Sequence, residues 1–215
     1  PAEMRIIPAP SAFSLAASRL GWRMAEVECL TVHGRVIDRV RYFLSPNARM
    51  IILSHDSETP PQIASILRET GYGKSDMYVF AHMSGPEEDM LANTAEEWGS
   101  SDVADLNTIA IHCRSGPESH VLSRVPGLPD DVFSHNGTIT KREVRAATLA
   151  SLVPLPGQLL WDVRAGHGTI AIEWMRSDVK GTARAIAVEK NTDHTNTIHD
   201  NALALGVPNL EIVGG

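Results

Sequence analysis

Between the apolar run Leu159–Val163 and a helix-prone stretch that begins near Thr169 stands the loop Arg164-Ala165-Gly166-His167-Gly168. A strand that enters a glycine loop and leaves as a helix is a binding device. Glycine lets the backbone approach a ligand, and the free amides at the helix start favour negative or polar ligand groups. The next apolar run, ARAIAVEKN, carries Glu189 about 20 residues after Gly168. A carboxylate at that spacing is where ribose hydroxyls are held. Loop and carboxylate together predict a ligand with an adenosine-like sugar.

Spacing leaves the ligand open. Framed from Gly166, the loop fits G-x-G-x-x-A, the dinucleotide fingerprint of a nicotinamide-dependent oxidoreductase. Framed from Arg164, it fits G-x-G-x-G with its first glycine replaced, the loop of S-adenosylmethionine-dependent methyltransferases. A third reading is a plain strand–turn–helix whose glycines only make the turn, in a non-catalytic remnant. If the first loop position adopts a left-handed backbone, an arginine there costs about 1–2 kcal/mol. Its side chain also enters space that a glycine keeps open. His167 falls at a position of the loop that tolerates side chains. No convincing catalytic base stands out, so the catalytic residues are left unassigned. The nine histidines are scattered. His194 and His199, on one predicted helix, are not at the i, i+4 metal spacing; they read as surface or structural, and no metal is expected.

The elements that would position these residues follow an α/β pattern. Strand-like and helix-like runs alternate: a helix over Ser11–Leu20 with Ser11 as its cap, a strand over Val27–Val32, a helix over VIDRVRYFL, and a strand over Arg49–Ser54. TPPQIASILRET reads as a helix with Pro60 and Pro61 in its first turn, stopped by Gly71. MYVFAHM and TIAIHC read as strands, and the polar PEEDMLANTAEEW between them as helix-prone. The chain starts within a strand-like run, Met4–Ile7, and finishes in another, LEIV. From Arg114 to Gly137 the sequence is rich in Pro, Gly, Ser and Asp without a period, which marks a linker. A helix restarts in ITKREVRAATLASLV, where Thr140 and Glu143 have capping-box spacing and Val144, Thr148 and Leu152 form one predicted buried stripe. The net charge of −7 argues against a nucleic-acid binder. No apolar run reaches membrane-spanning length, and two distant cysteines fit a reduced, cytoplasmic setting.

The wider context narrows the choice. TKREVRAATLASLVPLPGQLLWDV followed by AIEWMR resembles the methyltransferase half of the precorrin-6Y methyltransferases of cobalamin biosynthesis. Upstream, IPAPSAFSLAASRLGW, LTVHGR and DLNTIAI resemble the other half of those fused enzymes, a tetrapyrrole methylase, and VPGLPDDVFSHNGTITKREVRA resembles the junction. The resemblance implies residues 1–114 as the C-terminal lobe of a tetrapyrrole methylase, 115–137 as a linker, and 138–215 as the first half of a Rossmann-like class I methyltransferase domain. On that reading the chain is an internal fragment of a longer, homo-oligomeric parent.

The resemblance also implies C-methylation of a precorrin from S-adenosylmethionine, with loss of carbon dioxide from an acetate side chain. Carried over by position, Thr140 contacts the cofactor before the first helix, Arg164, Ala165, Gly166, His167 and Gly168 wrap its methionine part, and Glu189 takes its ribose. Pro10, Ser11 and Ala12 fall where the family's PSAF segment borders the cofactor of the first half. His33 and Arg35, in the HGR signature, fall where substrate is met. FAHMSGPEE places His82 and Ser84 where the family has a glutamate and paired glycines.

Overall fold

A computed structural model describes residues 4–99 and 102–215. The chain folds as two compact units, one running up to Arg35 and resuming over Ser45–His120, the other combining Val36–Leu44 with Val121–Gly215.

The first unit is a five-stranded sheet built from β1 (Val27–Thr31), β2 (Arg49–Leu53), β3 (Asp76–Ala81), β4 (Asp89–Thr94) and β5 (Asn107–His112), in the order β1-β2-β5-β3-β4. Only β1 and β2 are parallel; the other pairings are antiparallel. The central β2 and β5 read as near-continuous apolar runs because both faces are covered. Helix α1 (Ala12–Leu20) packs on β2 and β5 through Ala16 and Ala17, meeting Ile51, Phe80 and Ala110. The Ser11 side chain accepts from the Ser14 amide at 3.2 Å, and Gly21 closes the helix at φ +65°. Helix α2 (Thr59–Glu69) has its two prolines in the first turn and buries Ile63 and Leu67.

Two expectations fail here. Met4–Ile7 is no strand: Met4, Ile6 and Ile7 are exposed and find no partner strand among the described residues. PEEDMLANTAEEW is no helix but contains β4, which pairs along the whole edge of β3 from Ala81↔Asp89 to Asp76↔Thr94. Its helix-prone residues lack an apolar face to bury, so the open hydrogen-bonding edge of β3 decides its conformation. In the turn between them His82 and Ser84 hold φ +47° and +65°, left-handed values that favour glycine. The Glu88 carboxylate ties this turn down, accepting from the Ser84 amide at 2.6 Å and pairing with Arg19.

The second unit is a β-α-β-α-β run preceded by one helix. It comprises α3 (Arg142–Leu152), β6 (Leu159–Val163), α4 (Thr169–Ser177), β7 (Arg184–Glu189), α5 (Thr192–Ala204) and β8 (Glu211–Gly214). The strands are all parallel, in the order β6-β7-β8, with α4 and α5 packed on β7. This is the order of one half of a doubly wound sheet. The core joins Leu149 of α3, Ala171, Ile172 and Trp174 of α4, Ala185 and Ala187 of β7, and Ile198 and Ala202 of α5. Leu128 and Phe133, from the irregular stretch before α3, are buried in the same cluster. Residues Ile37–Phe43 form 3-10 turns rather than an α-helix, and the Tyr42 hydroxyl donates to the Arg176 and Asp178 carbonyls, each at 3.1 Å.

Helix α3 departs from its sequence reading twice. Its cap is Lys141, not Thr140, and no side chain closes it, so the expected Thr140–Glu143 box does not form. Val144 and Leu152 are 55% and 44% exposed, whereas Arg145 and Leu149 are fully buried. The buried stripe is one residue out of register with the apolar pattern because an arginine occupies the inward position. Its guanidinium is satisfied there. Nε bonds Glu173 at 2.8 Å, one terminal nitrogen pairs with Asp130 at 2.6 Å and also donates to the Thr140 carbonyl, and the other donates to the Leu128 carbonyl. Glu173, equally buried, also accepts from the Gly127 amide at 2.5 Å and the Leu128 amide at 3.2 Å. A fully paired buried charge is tolerable where a lone one is not.

Candidate functional site

The turn after β6 is built by three local devices. Arg164 and Ala165 amides both donate to the Val188 carbonyl, at 2.9 and 3.2 Å, which fastens the turn to β7. The Asp162 carboxylate, at the end of β6, accepts from the Ala171 amide in the first turn of α4 at 3.2 Å. Burial pushes the Asp162 carboxyl up, and that amide bond opposes the shift. Gly168, at φ +77°, caps α4 and lies against α5: a Cβ on it would stand 2.8 Å from Ile198 Cγ2. Gly166, at φ +59°, would meet nothing within 4 Å, so open space lies on that side of the turn.

Arg164 takes the conformation its position demanded of the missing glycine, φ +63°. Its side chain is exposed and has no hydrogen-bond or ion-pair partner among the described residues, so nothing offsets the strain locally. Arg164→Gly is expected to stabilise the second unit by roughly 0.5–1 kcal/mol, the relieved strain less the greater chain entropy of glycine. A denaturant midpoint that falls instead would show that the arginine is held by contacts of its own.

Glu189 closes the site. It ends β7, is 8% exposed, and turns its carboxylate toward the loop. Oε2 accepts from the Gly166 amide at 2.9 Å and Oε1 from the Asn191 amide at 3.0 Å. The Asn191 amide holds this carboxyl below the usual range, opposed by burial and aided by Gly166 and His194. Each oxygen keeps acceptor capacity for one further donor. Two such acceptors beside an open turn suit a vicinal diol.

Around the turn stands a group that the sequence reading did not assemble. The His167 ring, 5% exposed, lies 4.5 Å from the His194 ring and 6.3 Å from that of His135. Asn136 Oδ1 is 3.2 Å from His167 Nε2, and Asn136 Nδ2 is 3.4 Å from His194 Nε2. Asn201 Nδ2 donates to the carbonyls of Ser134 at 3.0 Å and His167 at 3.1 Å, and Asn201 Oδ1 accepts from the Ser134 amide at 2.8 Å. His194, in the first turn of α5, stands at the edge of this group. The available signal was SHNG, a polar turn before the helix of the family motif.

The remaining candidates are more scattered. Thr140 is exposed and its carbonyl serves Arg145. In the first unit, Pro10, Ser11 and Ala12 form the start of α1, and Ser11 acts as its cap. His33 and Arg35 follow β1 in an exposed turn; the His33 ring faces that of His55 at 5.1 Å, and neither residue pairs with a described carboxylate. No hydrogen bond or ion pair joins Pro10–Ala12 to His33 or Arg35.

Comparison with known sequences places both units. Residues 131–215 match the family described as a precorrin methyltransferase domain, and residues 1–99 the tetrapyrrole (corrin/porphyrin) methylases. A precorrin-6Y C(5,15)-methyltransferase (decarboxylating) from Sinorhizobium sp is 41% identical over 214 residues, covering 100% of this chain and 51% of that protein. The chain is similar along its whole length to part of a precorrin-6Y methyltransferase. A second precorrin-6Y C(5,15)-methyltransferase (decarboxylating), from Mycobacterium tuberculosis (strain CDC 1551 / Oshkosh), is 38% identical over 95% of this chain and 50% of its own length. The chain thus spans about half the length of the curated relatives it matches. Among solved structures, the C-terminal domain of the Rhodobacter capsulatus precorrin-6Y C5,15-methyltransferase is 40% identical, covering 44% of this chain and 50% of that one, with a TM-score of 0.41. No helix among the described residues is long and apolar enough to cross a membrane.

Proposed function

We propose that this chain is part of an enzyme that uses S-adenosylmethionine to C-methylate a precorrin in cobalamin biosynthesis, with decarboxylation of an acetate side chain. The observation that carries the reading is the Glu189 carboxylate directed at the glycine turn, bonded to Gly166 and with acceptor capacity left on both oxygens. The cofactor, when bound, supplies an electrophilic methyl group on a sulfonium. The chain's contribution is to hold and orient. Glu189 would take the ribose diol, Gly166 and Gly168 give the turn its close-approach geometry, and Asp162 locks the turn to α4. Holding two reactants in line supplies most of the acceleration such a transfer needs. Thr140, Arg164, Ala165 and His167 complete the cofactor side of the second unit on this reading, Pro10–Ala12 border the cofactor of the first, and His33 and Arg35 meet the tetrapyrrole.

Calorimetric titration with S-adenosylhomocysteine tests this directly. Saturable binding is expected, and Glu189→Ala is expected to weaken it about 100-fold, as two charge-assisted hydrogen bonds are lost. Binding of NAD in place of S-adenosylhomocysteine would favour the dinucleotide frame and overturn the proposal.

One observation favours a second reading, a fold that has lost its binding competence: the left-handed Arg164, whose guanidinium stands at the turn with no partner among the described residues. Arg164→Gly separates the two. A gain of about tenfold in S-adenosylhomocysteine affinity would mark a weakened site, and no binding by either form a remnant.

A further inference from the structure

The histidine group beside the turn is not needed to explain the turn's fold, and its hydrogen bonds permit one consistent arrangement. We propose that His167, Asn136 and His194 form a hydrogen-bonded group that sets the His194 ring against the Glu189 carboxylate, 3.9 Å away, and so positions that carboxylate for its nucleoside ligand, with Asn136 and His194 acting as positioning residues. The proposal rests on the cofactor reading above and adds to that site a support it has not been given.

Donor and acceptor roles follow from the geometry. Asn136 offers one acceptor, Oδ1, to His167 Nε2 and one donor, Nδ2, to His194 Nε2. His167 therefore carries its proton on Nε2, and His194 keeps Nε2 bare and carries its proton on Nδ1. That Nδ1 is the nitrogen facing Glu189 Oε1, 3.9 Å away. The flipped amide would set an unprotonated Nδ1 against a carboxylate, so the first arrangement wins. His167 Nδ1 is buried and has no hydrogen-bond partner. A bare ring nitrogen is tolerable in such a place, while an N–H there would be orphaned, so the ring is held neutral with its proton on Nε2. Burial, with His194 and His135 beside it and Glu189 opposing, moves His167 in the same direction, toward the neutral form.

His167 faces His135 from the segment before α3, His194 from α5 and Glu189 from the end of β7.

Nitrogen-15 NMR of the histidine rings reads this without any ligand. At pH 8 the expected result is a proton on Nε2 of His167 and on Nδ1 of His194, and Asn136→Ala shifts the resonance of His194 Nε2, which loses its donor, while the proton stays on Nδ1. Calorimetry with S-adenosylhomocysteine is expected to show affinity lowered about tenfold in both Asn136→Ala and His194→Gln. A His194 proton on Nε2 in the unaltered protein, or an affinity unchanged in both variants, overturns the relay. If S-adenosylhomocysteine does not bind while the ring protons stand as expected, the cofactor reading falls and the positioning role with it. If it binds while the ring protons differ, the relay alone falls.

Discussion

Arg145→Ala is expected to cost the second unit about 3–5 kcal/mol, the penalty for removing one partner of a buried ion pair. For a domain of ordinary marginal stability that is most of what holds it folded. The guanidinium is fully buried, ties Glu173 of α4 and Asp130 to α3, and lies 4.9 Å over the Phe133 ring. Without it the Glu173 carboxylate stays buried, with only the Gly127 and Leu128 amides for company. Asp130, now held below the usual carboxylate range first by its hydrogen bond from Arg145, would move back up. Urea unfolding followed by far-ultraviolet dichroism measures the loss. A shift below about 1 kcal/mol would mean that the pair is no more than a surface contact in energetic terms.

Gly168→Ala is the second large effect, roughly 2–4 kcal/mol. Two costs combine. A side chain at φ +77° is strained by about 1–2 kcal/mol, and its Cβ would press to 2.8 Å from Ile198 Cγ2 in the core between the turn and α5. Overpacking of that kind costs about 1–3 kcal/mol more. Because Gly168 caps α4, relief by backbone movement would carry the Gly166 amide away from Glu189. Stability and S-adenosylhomocysteine affinity should therefore fall together. Ile198→Ala in the same chain should restore part of the affinity while leaving the backbone strain, and failure to do so would place the whole cost in the backbone. Gly166→Ala, whose Cβ meets open space, should cost only the conformational part.

The layered α/β alternation, most strand limits and the glycine turn were legible because they are local: period, turn residues and spacing. The turn's left-handed arginine was legible for the same reason, since Arg164 stands where the motif requires a glycine. What failed was set by partners distant in sequence. β4 became a strand because β3 offered an edge, and nothing within residues 86–98 announces that edge. The buried face of α3 was misread because apolarity was taken as the signal for burial, and the most deeply buried residue there is an arginine whose acid partner lies on α4. Thr140 lost its capping role to a segment ordered instead by that arginine. The motif letters that carried the family resemblance, the second arginine of TKREVR and the glutamate of AIEW, prove to be a structural clasp. The relay of His167, Asn136 and His194 was out of reach for a related reason: three polar residues from three separate segments converge only after folding.

The strand that delivers the turn presents Leu160 and Asp162 to the packed side and Leu159, Trp161 and Val163 to solvent, with Trp161 62% exposed. Trp98 and Trp174 are buried and Trp22 is half-buried. The indole of Trp161, the most exposed of the four, therefore dominates the red side of the emission, and Trp22→Phe would leave its colour as a gauge. Whatever comes to lie on that bare face will turn the fluorescence toward the blue, reporting coverage three residues from Arg164.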